Sequence, residues 1–194
     1  MIRKVNVVVG SFLTQFIIVG MLFTYGVLMT ELEKEFGWSR TVLSSIGAAG
    51  WLAWGIFAIP GGYLNDRLGP KIVLGVNGFI FGIGFILFSK SSEVWHLFLI
   101  FTFFIGTGLS THDISTLSTI AKWFESKRGL MTSIAKIGTA MGQMVMPPLI
   151  AFLIIGFGWR TATFYLGIAA SIGLILAASI MSAPNTSSEK LDSE

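Results

Sequence analysis

"RTVLSSIGAAG", residues 40–50, returns as "RGLMTSIAKIG", residues 128–138, after a shift of 128 − 40 = 88 positions. In this register Arg40 meets Arg128, Ser45 meets Ser133, Ile46 meets Ile134 and Gly50 meets Gly138. Gly20 falls on Gly108 and Pro60 on Pro148 without a gap. Whether the second copy runs with the first or against it depends on how often the chain crosses between them, and hydropathy supplies that number.

Of the 194 residues, 53% are hydrophobic and 12% charged, with a mean hydropathy of +0.78. A soluble domain carries about 25% charged residues. Apolar runs of about 20 residues at 1.5 Å rise cross a hydrocarbon core of about 30 Å. Six such spans are predicted, at about 5–29, 41–62, 71–89, 94–120, 129–156 and 161–182. Three spans separate each position from its counterpart, so the second copy crosses in the opposite sense. The expected fold is an all-α membrane protein of six transmembrane helices built as a 3+3 inverted repeat, about 5–89 and 94–182, an arrangement used by transporters. Residues 1–182 form the bundle in this reading, and 183–194 a polar cytoplasmic tail or the start of a linker.

The formal charge of +3 and pI near 9.3 do not indicate a nucleic-acid partner, because the charges sit between apolar spans and set orientation. With the N-terminus inside, the inner segments hold Arg3, Lys4, Arg67, Lys71, Lys122, Lys127, Arg128 and Lys190, against Lys34, Arg40, Lys90 and Arg160 outside. Both termini are therefore expected in the cytoplasm, with the chain integral to the plasma or inner membrane. "MIRK" resembles the start of a signal peptide, but the apolar run continues to Met29 without a small-residue cleavage site, so it reads as a retained first helix. Trp38, Trp95, Trp123 and Trp159 stand beside span ends as candidate interfacial aromatics, whereas Trp51 and Trp54 lie within a span and read as packing. There is no cysteine, so redox compartment is not indicated. Two histidines without a ligand cluster give no metal site, and no phosphate-binding loop supports nucleotide hydrolysis. No cofactor and no enzymatic activity are expected.

Lys136 is the single charge between Arg128 and Arg160. A lysine at the centre of a membrane helix costs about 2.5–3.5 kcal/mol on insertion scales, so it needs a partner. With the apex of the fourth-to-fifth connection near Glu125, Asp113 lies twelve residues before it and Lys136 eleven after, at nearly equal depth on neighbouring helices. Gln15 reaches a similar depth on the first helix, and His112 adjoins Asp113. Two readings stand. In one, Lys136, with Gln15 and Tyr25, binds a small organic anion while Asp113, with His112, takes up a proton. In the other, the pair only orients two helices, and breaking it costs about 3–5 kcal/mol whatever the function.

The loop "GGYLNDRLGPK", residues 61–71, combines Gly62 for close helix approach, Gly69 for a positive φ in a tight reversal, and Pro70 for the first turn of the next helix. Gly62, Asp66, Arg67, Gly69 and Lys71 resemble the signature loop G-x-L-x-D-R-x-G-x-K between helices two and three of the major facilitator superfamily. "FGWSR" (36–40), "KWFESKRGL" (122–130), "MPPL" (146–149) and "GWRTATFYLGI" (158–168) are similar to its oxalate/formate antiporter and monocarboxylate transporter-like branch. The resemblance spans nearly the whole chain. It implies one six-helix half of a twelve-helix fold, a cytoplasmic gate at Asp66 and Arg67, and contact between Asp66 and a helix of the C-terminal half. It also implies that the chain is a fragment or joins a partner half or a second copy.

Asp113 stands where the family's G-x-G-x-G-x-x-Y pattern has tyrosine, and Lys136 where a small residue is usual; both depart together, as a compensated pair would. Gly138-x-x-x-Gly142 and Gly78-x-x-x-Gly82 read as close-packing faces, and Pro147 and Pro148 as a kink. No proline follows Gly142, so the family's antiporter motif is incomplete. The resulting expectation is secondary active transport of a monocarboxylate-like anion across the lipid bilayer, proton-coupled or by exchange. The alternatives are a non-transporting regulatory or assembly partner, or a half-transporter that homodimerises.

Overall fold

The computed structural model describes residues 2–182, so the expected tail at 183–194 lies outside the described residues. Six helices are long and apolar enough to cross a membrane. They are α1 (Ile2–Phe36), α2 (Arg40–Leu68), α3 (Pro70–Phe88), a fourth span over Val94–Trp123, α7 (Arg128–Phe157) and α8 (Trp159–Ile180). The fourth span comprises α4 (Val94–Leu99), a π-helical segment (Ile100–Ile105), α5 (Gly106–Ser110) and α6 (His112–Trp123). No strand occurs among the described residues.

Most helices run past their apolar stretches because local chemistry supports the polar turns. At the end of α1, Lys34 pairs with Glu31 one turn earlier at 2.7 Å. At the start of α2, Ser39 caps the helix by accepting from the Val42 amide. Gly69 ends α2 with φ 81° and ψ 162°, a region open essentially to glycine alone, and Pro70 begins α3. Gly158 joins α7 to α8 with φ 77° and ψ 158°, so the same turn chemistry serves both repeats. Helix α7 continues through Pro147 and Pro148, which do not end it.

Pairing follows from small residues. A Cβ on Gly138 would lie 2.3 Å from the Phe12 carbonyl oxygen, and one on Gly142 would lie 2.3 Å from that of Phe16. Helix α7 therefore rests directly on the backbone of α1. In the other repeat, Gly50, the counterpart of Gly138, packs α2 against Phe101 of the fourth span. Gly78 and Gly82 bring α3 against Leu174 and Ser171 of α8 in the same way. The close approach expected at Gly62 belongs instead to Gly61, whose Cβ would meet Thr111 at 2.5 Å, whereas Gly62 faces Ile114 at 3.9 Å.

The main apolar core gathers Phe81, Phe85, Phe88, Leu97, Phe101 and Trp159 between α1, α3, the fourth span and α8. A smaller cluster of Val7, Leu74, Ile120, Trp123 and Met181 closes the end near the N-terminus. Two aromatics read as interfacial are in fact buried tethers. Trp123 donates its indole N–H to the Ser182 carbonyl at 2.7 Å, and Trp159 donates to Glu35 at 2.5 Å. Trp51, read as packing, is 52% exposed on α2. The apolar surfaces of α2 and α7 are the least covered, with Ile59, Met144 and Ile155 among their exposed side chains.

Candidate functional site

The ammonium of Lys136 on α7 donates to Asp113 Oδ1 on α6 at 2.5 Å. Equal depth on consecutive antiparallel helices brings them together, as the spacing about Glu125 predicts. Gln15 on α1 joins the pair: its amide donates to the same Asp113 oxygen at 2.7 Å and to Thr116 at 3.1 Å. Its carbonyl accepts from Lys136 at 3.4 Å and from Thr139 at 2.9 Å. Gln15 is fully buried, and both of its polar atoms are satisfied. Lys136 and Asp113 keep 37% and 34% of their side-chain surface accessible, so the pair is reachable from outside this bundle.

Asp113 uses its two oxygens differently. Oδ1 receives Lys136 and Gln15, while Oδ2 lies 3.7 Å from His112 Nε2. His112 is buried, and its Nδ1 lies 2.6 Å from the Leu109 carbonyl. A carbonyl only accepts, so Nδ1 carries the hydrogen and, in the neutral ring, the Nε2 lone pair faces the carboxylate. The Leu109 carbonyl comes within reach because the helix is interrupted at Thr111, just before His112. Trp54 of α2 places its ring 5.8 Å from the imidazole. Thr116 and Thr139 follow Asp113 and Lys136 by one helical turn, a spacing that marks them as members of the same cluster.

Tyr25 lies apart from this cluster. Its hydroxyl donates to the Leu43 carbonyl at 2.7 Å, leaving its ring as one wall of a pocket of about 260 Å³ between α1, α2 and the fourth span. No group of three or more metal-ligating side chains occurs among the described residues.

The signature segment expected as a loop is almost wholly helical, since Gly61–Leu68 continues α2 and Pro70 begins α3 with Gly69 alone between them; it lies at the end of the bundle near the N-terminus. Asn65 is buried, accepts from Ser115 at 2.6 Å and donates to Ser118 at 3.5 Å, which ties the last turns of α2 to α6. Asp66 lies 3.9 Å from the Lys122 ammonium with both side chains largely exposed, and Arg67 stacks over the Tyr63 ring at 4.3 Å. Asn65 was not singled out from the sequence, although an amide between Leu64 and Asp66 one turn before the helix end is a position to inspect. At the opposite end, Glu35 also pairs with Arg160, whose guanidinium donates to the Ser91 carbonyl at 3.3 Å and covers the Trp159 ring at 4.3 Å.

Six helices long and apolar enough to cross a membrane describe a multi-pass membrane protein, and an accessible ion pair within its spans is the kind of feature found along transport pathways. Residues 11–194 match the family model of the Major Facilitator Superfamily, and the chain belongs to that family, which comprises membrane transporters rather than enzymes. The chain is 30% identical to the agnestins efflux protein AgnL12 of Paecilomyces divaricatus, over 84% of its own length and 39% of the relative's. It is 27% identical to monocarboxylate transporter 14 of Mus musculus, over 90% of its own length and 34% of the relative's. It is 30% identical to the probable L-galactonate transporter of Escherichia coli (strain K12), over 75% of its length and 32% of the relative's. The chain thus spans about a third of the length of the curated relatives it matches.

Proposed function

We propose that the chain forms one six-helix half of a secondary active transporter for small, monocarboxylate-like anions, with uptake coupled to protons or to exchange. Its cavity is completed by a second six-helix half or a second copy. The repeats are residues 5–89 and 94–182, both termini face the cytoplasm, and the membrane is the plasma or inner membrane.

The observation that carries this reading is the Lys136–Asp113 contact at 2.5 Å with both groups still accessible. A cation that binds an anion must remain reachable, and this ammonium does. Lys136 receives the substrate carboxylate, and Asp113 with His112 receives the proton. Protonation at Oδ2, the oxygen facing His112, removes the charge that holds Lys136 and frees the ammonium for the anion. Gln15 keeps the two groups aligned in either state. Asp66, Arg67 and Lys71 form the cytoplasmic gate with Gly62 and Gly69, and the signature-loop resemblance supports this assignment. The similarity to proteins named as monocarboxylate and galactonate transporters supports a carboxylate substrate.

The test is uptake of a labelled monocarboxylate into vesicles carrying the protein and any half that accompanies it, with and without an inward proton gradient. Lys136→Ala is expected to reduce uptake to background, while Asp113→Asn retains anion exchange and loses the response to the gradient. Full uptake by Lys136→Ala, with only a lower melting temperature, would leave the pair as a clamp between α6 and α7 and end the coupling mechanism.

A further inference from the structure

The pocket beside Tyr25 and the ionic cluster draw on the same elements, α1 and the fourth span, at neighbouring heights along them. On α1, Gln15, Leu22 and Gly26 are spaced i, i+7, i+11 and share a face, so Leu22 stands about 10 Å along the helix from Gln15. On the fourth span, Leu109 is four residues from Asp113, about 6 Å along the axis, and its carbonyl holds His112. On α2, the Trp51 ring lies 5.0 Å from that of Trp54, which in turn contacts His112. Leu22, Gly26, Trp51 and Leu109 all line the pocket, with Tyr25 and Phe101. Phe101 comes from the π-helical segment Ile100–Ile105, a local irregularity of the kind that often accompanies binding sites.

The lining is apolar, since the Tyr25 hydroxyl is already engaged by Leu43. A dry cavity of about 150 Å³ takes a benzene ring, so one of about 260 Å³ has room for a ring and part of a chain.

We infer that this pocket is the subsite for the apolar body of the substrate, and that the chain selects monocarboxylates bearing an aryl or comparably bulky apolar group several bonds from the carboxylate. The inference rests on the proposed anion site at Lys136. With the carboxylate on that ammonium, a chain of about four carbons carries a ring toward Leu22 and Leu109, the lining residues nearest the cluster along α1 and the fourth span, whereas a two- or three-carbon acid does not reach them. Gly26 is the specificity-determining position: a Cβ added there meets no atom within 4 Å, so a larger side chain fits and fills the space.

The experiment compares 4-phenylbutyrate, butyrate and the neutral 4-phenylbutyramide by titration calorimetry. The protein, with any half that accompanies it, is held in lipid nanodiscs, and empty nanodiscs correct for partitioning. Wild type is expected to bind 4-phenylbutyrate about tenfold or more tightly than butyrate, from burial of the ring. The ratio is expected to fall toward one in Gly26→Leu, with the amide failing to bind and both acids lost in Lys136→Gln. Equal affinities of the two acids in wild type, each abolished by Lys136→Gln, would overturn the pocket inference and leave the anion site standing. Because that comparison is made on wild type, it holds even if Gly26→Leu does not fold. No binding of either acid, or binding indifferent to Lys136→Gln, would remove the anion site and this inference together.

Discussion

Lys136 and Asp113, 23 positions apart in the chain, meet at 2.5 Å, with Gln15 donating to the same carboxylate oxygen at 2.7 Å. Each charge is therefore the other's main compensation, and removing one leaves the other in a low-dielectric setting. Exposed pairs contribute about 0–1 kcal/mol and broken buried pairs cost about 3–5 kcal/mol. These two groups are about one-third accessible, so Asp113→Asn or Lys136→Met alone is expected to cost about 1–3 kcal/mol. The double variant should recover part of that loss. Thermal unfolding of all four proteins in nanodiscs gives the coupling directly, and additive losses would show that the pair is not mutually stabilising.

Gly138 should tolerate no larger residue. Its Cβ would fall 2.3 Å from the Phe12 carbonyl oxygen, so even Gly138→Ala forces α1 and α7 apart. A loss of about 1–3 kcal/mol is expected, as for other overpacked cores. Gly129→Ala, where nothing lies within 4 Å, is the matched control and should leave the melting temperature unchanged or slightly raised. Similar melting of the two variants would contradict direct backbone contact between the helices.

At the opposite end of the bundle, Glu35 and Trp159 separate two kinds of contribution. The Glu35–Arg160 pair is about 40% accessible on each side, so Arg160→Gln should cost under about 1 kcal/mol, an effect that shrinks further with salt. Trp159 is 6% exposed within the aromatic core, and Trp159→Ala should cost about 3–5 kcal/mol irrespective of salt. Melting curves at low and high salt distinguish the two.

Gly69→Ala should cost about 1–3 kcal/mol, because φ 81° with ψ 162° is a region that a Cβ strains. Gly158→Ala should behave alike, since φ 77° and ψ 158° are nearly the same geometry. Nothing lies within 4 Å of an added Cβ at either position, so the penalty is conformational rather than steric crowding by neighbours. A stability loss at only one of the two sites would break the equivalence of the two turns.

Much of this molecule follows from local properties of the chain. The length of uncharged runs determined the six spans, and the three spans separating Arg40, Ser45 and Gly50 from their counterparts determined that the second set runs against the first. Residue counts about Glu125 determined that Asp113 and Lys136 share a depth, and the glycine and proline at positions 69 and 70 determined the reversal between α2 and α3. Each is a matter of rise per residue or of one residue's backbone preference, which neighbours in space do not change.

Tertiary structure decided what rotation about each helix axis controls. Depth placed Gln15 level with Asp113, but only the setting of α1 against α6 and α7 put its amide against both charges. The same rotation turned Trp123 and Trp159 inward to hydrogen-bond partners far along the chain, although their positions at helix ends suit the membrane interface equally well. It also gave the close contact to Gly61 rather than Gly62, a difference of one residue or about 100° of helix. The pocket joining Tyr25 and Trp51 is assembled from three helices and has no signature in any one of them. Hydropathy and spacing report distance along an axis; side-chain partners are chosen around it, and that choice is made only when the helices pack.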